Sequence, residues 1–168
     1  MQLKETKKEL EKFAKFVIKQ ARTNLSKRKK ISTGKLYKSL GFKTMQGNRG
    51  VNVFFTMENY GTFQDLGVSG KKRKYKTPYR YKAKMPPSKA FSGWVVRKGL
   101  KGVRDEKGRF IPRKSLQFLI ARSIFRDGIK PSLFFTRPFD LGFRKLPQQL
   151  QDKFSKSNLK TLNSQIDN

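Results

Sequence analysis

Forty-one lysines and arginines stand against eleven aspartates and glutamates in this chain of 168 residues, a formal charge of +30. A fold built from it must keep nearly all of that charge in water, because a buried unpaired cation is very costly. So large an imbalance also calls for an anionic partner, a polyanion or an acidic protein surface, because the folded chain repels itself. The chain holds no His and no Cys, which excludes His/Cys zinc sites, His-based triads and thiol nucleophiles. The lack of Cys fits a reducing compartment.

The apolar material is modest but bulky: fifteen Phe, five Tyr and one Trp. Leu3, Leu10, Phe13, Val17, Ala21 and Leu25 recur at helical spacing and predict an amphipathic helix over residues 3–26. Lys4, Lys8, Lys12, Lys15 and Lys19 form much of its other face. After the charged break at 26–30, Ser32 or Thr33 can cap a short helix that faces Leu36 and Leu40 inward and ends at Gly41. Residues 42–46 and 51–56 predict two strands around a Gly/Asn turn. Val51, Val53 and Phe55 alternate on one face and Phe54 points from the other, so both faces are expected to be covered. A helix over 58–66 follows, with Tyr60, Phe63 and Leu66 in phase and Gly67 as its C-terminal glycine.

Residues 70–114 read as a basic excursion inserted in the domain. Lys71, Lys72, Arg73, Lys74, Lys76, Arg80, Lys82 and Lys84 crowd its first part with no acid among them, interleaved with Tyr75, Tyr79 and Tyr81. Cations that neutralise phosphates beside rings that stack on unpaired bases make these the candidate polyanion or partner contacts. The alternative is an ordinary solvated or disordered charge run. The excursion is expected to pass through Trp94–Val96 into a second hairpin, Val103–Arg104 against Arg109–Ile111, turning at 105–108. Ser115 is expected to cap a helix to Arg126 whose buried side is Leu116, Leu119, Ile120 and Ile124, stopped at Asp127–Gly128. Residues 132–136 predict a strand. A last helix is expected after Pro138 to about Lys156, facing Leu141, Leu146, Leu150 and Phe154 inward, with Pro147 starting or interrupting it. The polar segment 157–168 reads as a flexible tail.

Chemistry is poorly provided for. Glu58, Asp65, Asp105, Glu106, Asp127 and Asp140 are the pool for a magnesium site, and they fall in no metal-binding spacing. No Gly-Lys-Ser/Thr phosphate loop is present. The expectation is a protein that is not an enzyme, with no catalytic residue, metal or cofactor. No apolar run approaches the roughly 20 residues that span a bilayer, and the charged N-terminus is unlike a signal peptide, so no membrane partner is expected.

Three short segments carry a family resemblance. Thr33-Gly34-Lys35-Leu36-Tyr37-Lys38-Ser39-Leu40 resembles the TG-x-L-x-x-S step that follows the long first helix in tail-completion proteins of tailed double-stranded DNA bacteriophages, also described as head–tail joining, neck or minor tail proteins. Tyr60-Gly61-Thr62-Phe63-Gln64-Asp65-Leu66-Gly67 is similar to that family's YA-x-Y-V-E-x-G-T. Phe134-Phe135-Thr136-Arg137-Pro138 is similar to its closing P-F-L-x-P-A. The order also matches: basic helix, TG step, hairpin, Tyr/Gly segment, insertion, Phe/Pro segment. The chain departs from the pattern with Gly61 for Ala, Asp65 for Glu, Val68 for Thr and Leu133 for Pro.

The resemblance implies an α+β fold over residues 1–156, with the long N-terminal amphipathic helix packed on a small, mostly antiparallel sheet. Further short helices and the basic loop and hairpin region at 70–114 complete it. It implies a structural virion protein, made in the bacterial host cytoplasm. As a homo-oligomeric ring around or next to the DNA path, it would join the portal-side connector to the tail. Its partners would be neighbouring neck, connector and tail proteins, and double-stranded DNA through backbone contacts. The motif residues are expected to be structural: Gly34 and Gly67 permit turns, and Tyr60, Phe63, Phe134 and Phe135 are core. Charge alone supports a different class, a free non-specific nucleic-acid-binding protein, and a metal-dependent DNA-processing enzyme is the third reading.

Overall fold

The computed structural model describes residues 3–28, 31–47, 50–100 and 103–152. The turn at 48–49, Phe154 and the tail 157–168 lie outside the described residues. The elements in chain order are α1 (Leu3–Lys27), α2 (Lys35–Ser39), β1 (Gly41–Gly47), β2 (Gly50–Thr56), α3 (Gly61–Leu66), β3 (Val68–Ser69), a 3-10 turn (Ser88–Phe91), α4 (Ser92–Arg97), α5 (Arg113–Asp127), β4 (Gly128–Ile129) and α6 (Thr136–Phe143). The fold is α+β, with a long N-terminal helix and a small set of antiparallel strands, as the sequence predicts, although the second strand pair, β3 with β4, is not among the predicted strands. The chain divides into two compact units.

The first unit comprises Met1–Lys29, Ser39–Met57 and Phe134–Asn168. Its frame is α1, which buries the stripe Leu10, Phe13, Ala14, Val17, Ile18, Ala21 and Leu25. Glu5 in the first turn and Lys27 in the last complement the helix dipole. The stripe packs on the β1–β2 hairpin, whose register pairs Phe42 with Phe55 and Thr44 with Val53. Phe13 meets Phe55 edge-on at 6.0 Å and Phe139 at 5.4 Å, and Phe55 meets Phe135 at 5.2 Å. Phe16, Val51, Val53 and Phe143 close this core, with Leu146 and Leu150 buried in it.

Several expectations fail in this unit and in the adjoining residues 132–133. Phe54 is 49% exposed, because α1 covers only one face of the hairpin. Residues 132–136 are not a strand: Ser132 and Leu133, neighbours in sequence, both send their N–H groups to Asp65 O, where a ladder would alternate them. The last helix starts before Pro138, at Thr136, because a proline in the first turn removes an N–H that has no helical partner. It ends at Phe143, and a further helical stretch follows Pro147, over 148–152. Leu141 lies on its exposed side.

The second unit comprises Lys30–Lys38 and Glu58–Leu133. It contains α3, α4 and α5 and the β3–β4 pair, Val68 opposite Ile129 and Ser69 opposite Gly128. The hairpin at 103–111 forms as expected: Ile111 N donates to Val103 O at 2.8 Å and Asp105 N to Arg109 O at 2.8 Å. Trp94–Val96, expected to be part of the non-helical excursion, lies in α4, where Val95 is buried. α5 begins at Arg113 with Pro112 as its cap, so Ser115 is in the first turn and not the cap. Its buried positions are Gln117 and Ala121, whereas Leu119 is exposed. The 3-10 turn and α4, folded against α5, select that face.

Phe134 is the largest fully buried side chain of the chain's described part, at 0% exposure. Phe134→Ala leaves a cavity that should lower unfolding free energy by about 3–5 kcal/mol. Urea denaturation followed by circular dichroism checks this against the exposed Phe54→Ala, which should cost far less.

Candidate functional site

The basic stretch 71–84 is an ordered structure in the second unit, tied to the β3–β4 pair and to the end of α5. Ser69 is the tie. Its N–H donates to Tyr79 O at 2.8 Å and its carbonyl accepts from Tyr81 N at 2.9 Å, so residues 79–81 run parallel to β3. Its hydroxyl donates to Tyr75 O at 3.2 Å and accepts from Tyr75 N at 3.0 Å. Thr77 adds a bond from Oγ1 to Gly67 O at 3.0 Å.

The first part of the stretch caps α5. Lys71 N donates to Phe125 O at 2.9 Å and Lys72 N to Arg126 O at 2.8 Å. These carbonyls belong to the last turn of α5, whose C-terminal groups lack helical partners and carry the negative end of the helix dipole. Cations following such a cap are favourably placed. At the same end Asp127 is held below the usual carboxylate range by the hydrogen bond from Arg126.

Two glycines allow the strands to approach so closely. Gly128 has φ +76°, and a Cβ there would collide with Val68 O and Gly70 N. Gly67, with φ +77°, would place a Cβ 2.5 Å from Ile129 O and 2.7 Å from Pro131 N. Both positions require glycine for conformation and for space.

Residues 77–82 and α3 enclose an open groove of about 890 Å³. Tyr60, Phe63 and Gln64 form one wall, Thr77 to Lys82 another, and Val68 and Ile129 lie between. Phe63 meets Tyr79 edge-on at 4.6 Å, and Tyr81 meets Phe125 at 6.1 Å. Arg80 and Lys82 are exposed at the wall, and no carboxylate lines it. Burial pushes the Tyr81 phenol above the usual tyrosine range. The Gln64 side-chain amide nitrogen is buried with no hydrogen-bond partner among the described residues.

The structure therefore gathers part of the predicted set. Tyr79, Arg80, Tyr81 and Lys82 share the groove with Tyr60 and Phe63 of the second family-like segment. Lys71, Lys72 and Arg73 lie at the end of α5, and Lys74 donates from Nζ to Gly70 O at 3.2 Å. Tyr75 is half-buried by its bonds to Ser69, and Lys76 and Lys84 are exposed outside the groove lining. Tyr60 and Phe63 correct the sequence reading: they are 45% and 41% exposed and are not core. Gln64 and Val68 carry no site role in the sequence pattern beyond the second family-like segment and a departure from it. Nothing in the pattern of the chain marks Ile129, which reaches the groove only through the β3–β4 pairing.

The remaining motif residues lie at turns or are buried or half-buried. Thr33 Oγ1 accepts from Lys35 N at 3.4 Å, Gly34 has φ +77°, and Lys38 N donates to Gly34 O at 2.9 Å. Leu36 is buried and Ser39 half-buried. Gly61 is buried, its N–H bonded to Glu58 O at 2.8 Å. Asp65 is buried, and its carbonyl accepts from Ser132 N at 3.0 Å and Leu133 N at 2.9 Å. Phe134 and Pro138 are buried and Phe135 packs in the aromatic core of the first unit.

Among the described residues, no group of three or more Asp or Glu could hold a metal ion, and no helix is long and apolar enough to cross a membrane. The chain matches no family model, no curated protein and no solved structure.

Gly128→Ala should destabilise the protein by about 1–3 kcal/mol from the positive φ alone, and by more because the Cβ clashes with β3. Chemical denaturation measures the loss, and protease cleavage within 71–84 should accelerate in parallel. A second expectation concerns Tyr81. Burial favours its neutral phenol, so its contribution to stability is complete below the usual tyrosine pKa of about 10. It is lost as pH rises through the higher folded value. Tyr81→Phe should remove that part of the alkaline loss, seen as a smaller difference in denaturation midpoint between neutral and alkaline buffer.

Proposed function

We propose that this chain is a structural subunit of a tailed-phage virion, a neck or tail-completion protein that assembles as a ring between the portal-side connector and the tail. One observation carries the reading. The three family-like segments occupy, in order, the junctions of an α+β fold led by a long basic helix: the start of α2, the whole of α3 with its closing glycine, and the entry to α6. Positive φ at Gly34 and Gly67 and side-chain burial at Leu36, Phe134 and Pro138 account for residue types at those points.

The charge supports the same reading. A ring next to packaged DNA benefits from exposed lysines and arginines on a rigid base, which neutralise phosphates without reading sequence. Residues 71–84 supply them, held to β3 and α5 by backbone bonds. Heterologous contacts between identical subunits would close the ring.

Quantitative mass spectrometry of purified particles tests the assignment. About six or twelve copies per virion are expected of a ring of this kind. Absence from particles, with abundant protein in the soluble lysate, would replace it with a free nucleic-acid-binding protein. Reversing the charge at Lys76, Lys82 and Lys84, which are exposed away from the end of α5, should reduce DNA retention in particles while the isolated protein keeps its denaturation midpoint.

A further inference from the structure

We propose that the groove between α3 and residues 77–82 is a binding site for an unpaired nucleotide of a single-stranded nucleic acid. Its base would lie against Tyr60 and Phe63, and its phosphate would meet Arg80 and Lys82. This goes beyond the neck assignment and does not depend on it, since contact with duplex DNA through its backbone would use neither ring.

Four features of the groove converge on this ligand. Tyr60 and Phe63 present rings that are 45% and 41% exposed on one wall, and the edge-on contact with Tyr79 at 4.6 Å steadies Phe63. Rings held open to solvent in this way are stacking platforms for any planar base. The opposite wall carries two exposed cations and no carboxylate lines the groove, so its field favours an anion. Gln64 supplies a buried amide donor with no partner. That nitrogen has almost no accessible surface, so the broad terminal torsion must turn it outward before it meets a base carbonyl or ring nitrogen. Finally, about 890 Å³ falls within the range of sites that enclose a small organic ligand.

A paired base has both faces covered in the helical stack and cannot reach the rings, which selects the single strand. A run of acidic side chains would satisfy Arg80 and Lys82 but offers no planar face to Tyr60 and Phe63.

The experiment compares two labelled oligonucleotides of equal length, about eight nucleotides, in fluorescence anisotropy: oligothymidylate and the same backbone without bases. The charges are equal, so any difference belongs to the bases. Oligothymidylate should bind about 5- to 150-fold more tightly than the abasic chain. Tyr60→Ala should erase most of that difference and leave abasic binding unchanged, while Tyr60→Phe keeps it. The side chain of Tyr60 is exposed, so an unchanged denaturation midpoint is expected and confirms that the variant is folded. Equal affinities for the two chains, or no binding of either, would overturn the proposal. So would displacement of oligothymidylate by an oligoglutamate peptide whose own binding is lost in Tyr60→Ala, which would give the groove to an acidic protein segment. None of these outcomes bears on the presence of the chain in particles.

Discussion

The charge of +30 cannot be buried, and this constraint reaches every part of the structure. No lysine or arginine among the described residues is buried, and the buried polar and charged side chains are Asp65, Ser69, Gln117 and Ser132. With few acids, ion pairing does little. The pairs Glu9–Lys12, Asp105–Arg109 and Arg126–Asp127 are all at the surface, where such contacts contribute little to stability. The long connections must therefore be held by apolar burial and by backbone hydrogen bonds.

The two units meet that requirement differently. In the first, α1 and the hairpin bury an aromatic core in which Phe13, Phe55, Phe135 and Phe139 meet edge-on or stacked. Its hydrocarbon stripe leaves the lysines of α1 on the other side, so burial and charge are separated by helical periodicity alone. In the second, amide-to-carbonyl bonds stand in for a large core. Ser69 binds Tyr75, Tyr79 and Tyr81, and Ser132 and Leu133 bind the end of α3. Glycines at 67 and 128 let backbones approach to distances that a side chain would forbid. A cationic segment can be rigid under these terms because its main chain is anchored while its side chains remain in water. Rigid placement matters for recognition, since a cation already in position loses less entropy when it meets an anion.

Legibility followed the range of the interactions. α1, the β1–β2 hairpin, α3 with Gly67 and the stop of α5 at Gly128 are set by spacing within a few residues, and the sequence marks each one. The face of α5 was misread, Leu119 for Gln117 and Ala121, because α4 and the 3-10 turn choose it. The strand expected at 132–136 failed because two adjacent N–H groups are claimed by Asp65, far away in sequence. Of the candidate site, the cations and tyrosines of 71–84 were legible as composition, but their division was not. Some cap α5, others line a groove, and only the hydrogen bonds of Ser69 and of the α5 end sort them.

The sequence by itself determined the class of fold, the long basic helix, the absence of His and Cys chemistry, and the net charge of +30 that any fold must keep in water. These follow from residue counts and from periodicities that do not depend on what lies across the molecule. The tertiary structure alone decided that Tyr60 and Phe63 are open to solvent beside Arg80 and Lys82, and that Gln64 holds an unpartnered donor there. The reason is physical: whether a ring is core or platform depends on what covers it. That cover is set by the pairing of β3 with β4 and with residues 79–81, a contact between distant segments that no local pattern encodes.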